Sequence, residues 1–525
     1  MVSREGQRTD ALPAAEKAGP CGQFAGAGDG FLLQARGWLV IDRFAAVFYI
    51  LGILIVGFGV LMLVPLTISW VTGDGAHTAY DEAVLLTVAA GALLAVSTRR
   101  RKGEMRVRES FLLVALIWSL LPAFGALPLY LHIPGLSWTD AYFEAVSGLT
   151  ATGATVLSGL DALPLSINFW RHFMHWIGGL GVVVLAVAIL PLLGFGGRSM
   201  LKAETPGPMK DSKITPRITE TAKGLWVVYL ILTVACTFGL HFAGMEPWDA
   251  LMHAFSIMGL GGFSTKDASL GHFNSLEIEM VVVFFALLAG INYSTHFLVL
   301  SKRSLRPYRF DIEAHYFLGV LALSILALSV YLSPTEIYDD FPTTLRYVAF
   351  HSVSLATSLG FATTDYAQWP LFAQFWILFL GSFVACSGSA GGGIKMMRAV
   401  VLYKQVSREL MRAMHPRAVH NVRFGTTVIP DQVLHSILGF MFIYVVTIVS
   451  LTLLLMATHL DLVTAFSAVV ACLNNTGPGL NLVGPSTTYA VLNDFQTWVC
   501  TWAMLLGRLE IFTLLVILMP AFWRP

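Results

Sequence analysis

Ten long apolar stretches constrain this chain more than any other feature. Each is close to the roughly 20 residues that a helix needs to cross the hydrocarbon core of a bilayer. The stretches are residues 44–70, 80–98, 110–131, 172–195, 223–243, 277–300, 315–333, 370–388, 433–457 and 492–519. Hydrophobic residues make up 56% of the 525 residues and charged residues only 12%. This composition argues against a soluble domain and predicts an all-α polytopic membrane protein.

Basic residues are concentrated in a few of the connecting segments. The segments rich in Lys and Arg are 99–108, 198–223, 302–309 and 395–423. The intervening connections hold almost none, with Lys266 and Arg346 as the exceptions. By the positive-inside rule the basic segments are cytoplasmic, so both termini are predicted to be cytoplasmic. The net charge of +1 gives no indication of nucleic-acid binding.

Four short apolar segments recur about every hundred residues, and each precedes a glycine. The segments are residues 139–149, 249–259, 344–357 and 461–473, and the glycines are Gly153, Gly262, Gly360 and Gly477. Each segment is too short to span a bilayer, which predicts a re-entrant helix. A membrane helix is predicted before and after every segment, so the chain contains an internal repeat. The charge distribution places all four glycines on the outer side.

Acidic residues lie near the predicted starts of the short helices. Asp140 and Asp249 each precede their glycine by thirteen positions, and Asp461 begins the fourth segment. A carboxylate there caps free amides and favours the positive end of the helix dipole, although a solvated loop residue is the alternative. The opposite ends of the four helices would direct partial negative charge toward a common centre, which stabilises a cation.

Four backbone turns around one axis suit a dehydrated potassium ion. Such an ion recovers its lost hydration from carbonyl oxygens, which carry no fixed charge that would trap it. Glycine allows φ values that turn a carbonyl inward, and it has no Cβ to crowd the axis. The residues predicted to bind potassium in this filter are Ala151, Thr152, Gly153, Leu260, Gly261, Gly262, Ser358, Leu359, Gly360, Asn475, Thr476 and Gly477.

Several motifs together resemble the TrkH/KtrB superfamily of potassium transporters, on its TrkH branch. They are residues 143–153, 170–179, 262–265, 360–363, 474–479 and 507–512. The likeness covers roughly residues 44 to 520 and implies four pseudo-symmetric helix–pore-helix–helix repeats around a central pore, with two additional N-terminal transmembrane helices. It also implies a homodimer in which ions pass through each protomer.

The same resemblance bears on the transported ion. Relatives with serine at the first filter glycine are associated with sodium, so glycine at all four positions favours potassium. The residue before the glycine varies, because it is Thr152, Gly261, Leu359 or Thr476. Selectivity is therefore expected to depend on backbone oxygens and to be modest.

The repeats predict the following division of the chain. Residues 1–43 form a cytoplasmic N-terminal arm, and residues 44–105 form the two additional transmembrane helices. The repeats then cover residues 106–200, 201–305, 306–425 and 426–525, the third including a glycine-rich intramembrane loop.

A run of small residues interrupts the apolar stretch of the third repeat at residues 387–393. Each interior glycine costs about 1 kcal/mol relative to alanine in a helix, so the helix is predicted to open into a loop. The residues leave two interpretations open, a helix boundary at the cytoplasmic surface or a loop within the membrane. The resemblance implies the second, with the loop obstructing the path beneath the filter. The candidate gate residues are Gly391, Gly392, Gly393, Lys395 and Arg508.

Arg508 lies near the middle of the last apolar stretch. A charge there costs at least ~2.5 kcal/mol unless it faces water or a partner. Glu510 is two positions away and would point to a different face of a continuous helix. A salt bridge to another helix is one interpretation; the resemblance implies an arginine facing the cavity below the filter as an electrostatic barrier.

The remaining reactive residues do not indicate an enzyme. The five cysteines have no paired spacing and are interpreted as packing residues. His172 and His175 lack a nearby third ligand, so packing is favoured over metal binding. No catalytic or nucleotide-binding motif is present, so no cofactor is expected in this chain and potassium is the transported ion.

The resemblance further implies a TrkA-type cytosolic regulatory subunit that binds nucleotide, for which the basic segment 396–423 is a plausible docking surface. The expected location is a bacterial inner membrane. A sodium-coupled secondary transporter of another cation or small solute is the alternative, because broken helices also occur there. Those proteins usually contain inverted repeats, whereas these four segments enter from one side. The sequence leaves open whether transport is passive or coupled to protons or sodium.

Overall fold

A computed structural model describes residues 44–99, 107–179, 181, 218–383, 385–417, 420–425 and 427–524. Nearly all of them belong to one compact unit, Ala46–Pro525, and only the last two residues of the unit Met1–Ala45 are described. The predicted N-terminal arm, residues 1–43, and most of the basic segment 198–223 lie outside the described residues.

The described chain is almost entirely helical. It begins with the helices Ala45–Leu61, Leu63–Thr72 and His77–Thr98. One order of elements then recurs four times: an apolar helix, a short helix, an extended segment that contains one of the four glycines, and a further helix. The short helices, called the first to the fourth below, are Trp138–Leu149, Pro247–Gly259, Phe341–Ala356 and Leu462–Leu473.

The helices before the short ones are Val107–Gly125 with Leu127–His132, Ile218–Phe242, Ile312–Leu332 and Asp431–Met456. Those after the extended segments are Leu165–Gly179, Leu276–Gly290, Leu371–Phe383 and Asp494–Arg508. The other helices are Tyr293–Lys302, Arg306–Phe310, Met396–Met414, Phe512–Leu518 and Pro520–Trp523. Strand Arg423–Phe424 pairs antiparallel with strand Thr427–Val428 in a small hairpin.

Length and apolarity qualify six helices in the described part of the chain as membrane spans, and two bent pairs would bring the number to eight. These bent pairs correct two sequence predictions. The stretch 277–300 is not one helix, because Leu276–Gly290 and Tyr293–Lys302 meet at 92°. The stretch 492–519 is likewise divided, with Asp494–Arg508 and Phe512–Leu518 at 111°.

Caps explain where the short helices begin. Ser137 accepts a hydrogen bond from Asp140 N at 3.0 Å, so Asp140 lies in the first turn rather than at the cap. Asp340 and Asp461 are the N-caps of the third and fourth short helices. The hydrogen bond from Thr343 to Asp340 lowers the pKa of that carboxyl group. Acidic capping was therefore predicted correctly for Asp461, and Asp340 was missed.

The short helices lie at the centre of the fold. From Ala141 to Leu149, every residue of the first short helix is buried, and the last seven residues of each of the other three are buried as well. Most candidate spans are much more exposed, with 22–44% of the window buried in five of the six and 67% in Arg108–His132. Apolar faces that remain exposed on long helices are typical of contact with lipid. The fold thus surrounds the four helix ends with the spans.

Candidate functional site

The four glycine segments share one backbone conformation. The glycines have positive φ values, which are 84° at Gly153, 76° at Gly262, 82° at Gly360 and 92° at Gly477. The residues two positions earlier also have positive φ, at 54° for Ala151, 54° for Leu260, 60° for Ser358 and 52° for Asn475. A non-glycine residue in this region is strained, and strain held at four matching positions indicates a functional constraint.

A common set of hydrogen bonds fixes this conformation. In each segment, the amide of the residue before the glycine donates to the carbonyl five positions earlier. The pairs are Thr152 to Ser147 at 2.9 Å, Gly261 to Ser256 at 2.9 Å, Leu359 to Ser354 at 2.7 Å and Thr476 to Ala471 at 2.9 Å. In a trans peptide group the carbonyl oxygen and the N–H point in opposite directions. Because the N–H of the residue before the glycine points toward the short helix, the carbonyl oxygen of the residue two positions before the glycine points away from that helix.

The four segments meet in a closed ring. A methyl group placed on Gly477 would lie 2.7 Å from the carbonyl oxygen of Thr152. The other three glycines make the corresponding contact. A carbon added to each of them would collide with the carbonyl oxygen of the residue that precedes the next glycine around the ring. These pairs are Gly153 with Gly261, Gly262 with Leu359, and Gly360 with Thr476. The structure therefore brings all four predicted segments together, and we call these eight residues the glycine ring.

One carbonyl departs from the prediction that each glycine turns its own oxygen inward. The carbonyl oxygen of Gly477 accepts a hydrogen bond from Tyr489 Oη at 2.8 Å. The side-chain hydroxyl of Thr152 also binds within the protein, since its Oγ1 lies 2.7 Å from Thr150 Oγ1 and accepts from Asn475 Nδ2 at 2.9 Å. Other backbone oxygens of the segments are thus the available ligands.

A cavity of about 220 Å³ lies on one side of the glycine ring, and we call it the front cavity. All four glycines line it, together with residues that follow them in the chain. Its charged residues include Arg171, Lys266 and Asp267. Lys266 Nζ lies 3.8 Å from a carboxylate oxygen of both Asp161 and Asp249, so its charge is offset.

Side chains of the short helices support the segments from behind. The carboxylate of Glu144 accepts from Val156 N at 3.1 Å, and His351 Nε2 accepts from Thr363 N at 3.3 Å. Ser467 Oγ accepts from Leu480 N at 2.9 Å in the fourth repeat. Each donor is three residues beyond its ring glycine. In the second repeat, His253 Nε2 lies 3.0 Å from the Oγ of Ser264, which is two residues beyond its ring glycine.

The sequence reasoning missed these supports. A signal was available, because Glu144, His253 and His351 each precede their ring glycine by nine positions. Polar residues at one offset in three apolar segments are unusual, since buried polar groups need hydrogen-bond partners.

His172 and His175 occupy packed positions. The ring of His175 stacks on Phe263 with centroids 4.0 Å apart, and that of His172 is 6.0 Å from His253. Within the described ranges, no group of three or more His, Cys, Asp or Glu side chains could hold a metal ion. The geometry fits the packing interpretation.

The glycine-rich loop, residues 385–395, lies against the other side of the ring. A methyl group on Gly391 would lie 2.7 Å from the carbonyl oxygen of Thr357, and one on Gly392 would collide with that of Asn474. Gly392 N donates to Ser358 Oγ at 2.8 Å. Thr357 and Asn474 end the third and fourth short helices. The loop is therefore buried within the fold rather than placed at its surface.

Charged side chains hold this loop. Lys395 is only 4% exposed, has a φ of 73°, and donates from Nζ to the carbonyl oxygen of Gly391. Glu313 Oε1 accepts from Ser387 N at 2.7 Å and from Met397 N at 3.0 Å, so one carboxylate joins both ends of the loop. Glu313 has no motif around it, and sequence reasoning missed it.

Arg508 links the loop to the first repeat. Its Nη1 donates to the carbonyl oxygen of Ala390 at 3.2 Å, and its Nη2 donates to the carbonyl oxygens of Gly178 and Gly179. Glu510 instead pairs with Arg398 at 2.6 Å, because the helix ends at Arg508. The structure therefore brings together all five candidate gate residues around the glycine-rich loop.

Comparison with known proteins gives consistent matches over nearly the whole chain. The profile of the TrkH family, described as cation transport protein, matches residues 76–524. The Trk system potassium uptake protein TrkH of Salmonella typhimurium is 45% identical over 92% of this chain and 100% of its own length. The protein of that name from Halomonas elongata is 46% identical over 90% and 98%.

A solved structure also matches. The crystal structure of the potassium transporter TrkH from Vibrio parahaemolyticus has a TM-score of 0.83 and 41% sequence identity to this chain. The match covers 92% of this chain and 100% of that one.

Proposed function

This chain belongs to the TrkH family of cation transport proteins, and from that premise we propose that it carries potassium into a bacterial cell through the glycine ring. Membership confirms the expectation of a transporter rather than an enzyme. The observation that carries the proposal is the closed order of contacts, in which each ring glycine abuts the carbonyl before the next. Four converging backbone turns supply oxygens to an ion that has lost its water.

The front cavity is the outer entrance in this proposal. The four short helices end at the ring, so their partial negative charges act on the same point. The order of elements supports the proposal of four repeats with two additional N-terminal helices, since Ala45–Thr72 and His77–Thr98 precede the first repeat. By the positive-inside rule, the basic segments support a cytoplasmic location for the opposite side and for both termini, in a multi-pass protein of the inner membrane.

The glycine-rich loop is the gate in this proposal. It contacts the ring from the side opposite the front cavity, where it obstructs the inner path. Arg508 donates to the loop and to the helix end at Gly178 and Gly179. Removing such contacts on one side of the loop would allow it to move aside.

Two assembly proposals accompany the gate. We infer a homodimer in which each protomer holds its own ring, and a TrkA-type cytosolic regulatory subunit that binds nucleotide. The helix Met396–Met414 continues directly from the loop, and its exposed basic residue Arg412 offers the regulatory subunit a route to the gate. These assemblies rest on the family resemblance and on the position of that helix.

Tracer rubidium uptake into liposomes tests the proposal. The intact chain should take up rubidium with weak competition from sodium. In the Gly153→Ser variant, the added side chain meets the carbonyl oxygen of Gly261, so sodium should compete more strongly. Equal competition by sodium in both proteins would contradict a filter at the ring.

A sodium-coupled transporter is the second candidate, favoured by the broken helices at Gly290–Tyr293 and Arg508–Phe512. The same liposomes distinguish the two. Rubidium uptake that continues without any sodium gradient supports the ring pathway, whereas uptake that requires the gradient supports coupling.

A further inference from the structure

A fully buried ion pair lies beside the glycine ring in the first repeat. Arg171 Nη2 is 2.7 Å from Glu144 Oε1, and both side chains are 0% exposed. Arg171 Nε donates to the same oxygen at 2.8 Å. A buried pair of this kind is costly to desolvate, and it is weak evidence for a role in stability alone. The buried Glu144–Arg171 pair therefore calls for a functional explanation in addition to a contribution to stability.

Each partner holds the chain just after a ring glycine. Glu144 accepts from Thr155 Oγ1 at 3.0 Å and from Val156 N at 3.1 Å, two and three residues beyond Gly153. With the arginine, these donors engage both carboxylate oxygens. Glu144 is thus occupied by protein donors, which suits a positioning residue and not an ion ligand.

Arg171 extends this contact to the second repeat. Its guanidinium group lies 4.3 Å from the centroid of Phe263, the residue directly after the second ring glycine. Its Nη1 points to the carbonyl oxygen of Ser264 at 3.5 Å and donates to Asn168 Oδ1 at 3.2 Å. Planar arginine offers five donors in a fixed fork, so one side chain can hold several partners in a single geometry.

The other supports are neutral. His253, His351 and Ser467 hold the corresponding segments without an ion pair. Asp249 also contacts its segment, since it accepts from Thr265 Oγ1 at 2.8 Å and lies 3.8 Å from Lys266 Nζ. Among the ion pairs of the described residues, however, only Glu144–Arg171 has both side chains 0% exposed. Charge-assisted hydrogen bonds are about twice as strong as neutral ones, so this side of the ring is held most firmly.

We propose that the Glu144–Arg171 pair is a positioning unit that determines ion specificity, by fixing the ring oxygens of the first two repeats. This inference rests on the proposed function, since it requires the ring to be the filter. A rigid cage discriminates between ions of different size better than one that can shrink around the smaller ion. Loosening the pair should therefore admit sodium and leave rubidium uptake itself largely intact.

The test measures the ratio of rubidium to sodium uptake in liposomes for Glu144→Gln, Arg171→Gln and the double variant. Each single variant should lower the ratio about tenfold, which corresponds to 1.4 kcal/mol. The double variant should lower it less, because neither charge is left buried without a partner. Arg171→Lys keeps the positive charge but loses the planar set of donors of the guanidinium group, so it should also lower the ratio. This variant tests the inference if a neutral variant does not fold.

The pair Glu279–Arg346 is the matched control. It is a two-bond ion pair at 2.7 and 2.8 Å that joins Leu276–Gly290 to the third short helix without contacting a glycine segment. Glu279→Gln should keep the native ratio. A native ratio in the folded Glu144 and Arg171 variants, or an equal fall in the control, would overturn the inference. If Gly153→Ser also leaves the ratio unchanged, the proposed function itself has failed.

Discussion

Replacing Gly477 by alanine separates two constraints that act together at the glycine ring. The φ of Gly477 is 92°, and an L-residue in a left-handed conformation costs roughly 1–2 kcal/mol. The new methyl group would also lie 2.7 Å from the carbonyl oxygen of Thr152 and 2.9 Å from the carbonyl carbon of Gly153. Gly73 provides the control, because its φ is 65° and an added methyl group meets no atom within 4 Å.

The magnitude follows from these contacts. Both variants carry the same kind of backbone strain, so both should lose a similar free energy of unfolding. At Gly477 the oxygen of Thr152 must in addition withdraw by about 0.3 Å to reach the 3.0 Å below which Cβ contacts essentially never occur. Functional geometry typically has to be held within about 0.5 Å. Because the ring is closed, the displacement of the Thr152 oxygen also moves the neighbouring segments of the ring. We expect the ratio of rubidium to sodium uptake to fall at least about tenfold.

The assay combines tracer uptake in liposomes with thermal unfolding of each purified variant. Gly73→Ala should show reduced stability and native selectivity, whereas Gly477→Ala should show reduced stability and reduced selectivity. Native selectivity in a folded Gly477→Ala protein would refute the claim that the ring sets the ion cage. Equal loss of selectivity in both variants would show that general destabilisation, not the contact with Thr152, is responsible.

Two further predictions concern the proposed gate, and both use rubidium uptake by the purified chain alone. Arg508→Ala removes donors to Ala390 and Gly179, each bond to a charged group being worth about 1.5–3 kcal/mol, so basal uptake should rise about tenfold or more. Unchanged uptake would count against a barrier role. Glu313→Ala should likewise raise uptake because both loop ends lose their acceptor, and Glu313→Gln, which keeps one acceptor oxygen, should raise it less. Lower uptake in Glu313→Ala than in Glu313→Gln would contradict this order.

Local patterns predicted the parts of the fold that depend on nearby residues. The short helices were predicted within three residues at either end, because their length, apolar content and following glycine are all read from adjacent positions. A loop beginning at residue 387 was predicted for the same reason, since small residues cannot continue a helix, but the helix ends three residues before the predicted end at 386, at Phe383. The bends at Gly290 and Arg508 were not predicted, although Gly290 with Asn292 and Arg508 with Glu510 interrupt the apolar stretches there. Single glycines and charged residues also occur inside continuous membrane helices, so they do not by themselves fix a bend.

The supports behind the ring depend on distant residues and were beyond such patterns. Arg171 meets Glu144 across 27 positions, and Tyr489 reaches Gly477 from a separate 3-10 turn. Glu313 binds Ser387 across 74 positions. Apolar periodicity says which face of a helix is buried, but it does not say which polar groups meet there. Each of these pairs lies within one repeat, and it forms only when the helix, the extended segment and the following elements of that repeat pack together.

The ring and its supports differ in symmetry, and this difference has a consequence for selectivity. The backbone contacts repeat around all four segments, because the same φ values and the same amide bonds recur. The side chains that support the four segments are an ion pair, two histidines and a serine. The four segments are therefore held with different strengths. If the ring is the proposed filter, its backbone offers an ion four similar sets of oxygens, while the stiffness of the cage is set separately in each repeat. Substitutions behind different glycines should accordingly change selectivity by different amounts, even though substitutions of the glycines themselves act on one shared ring.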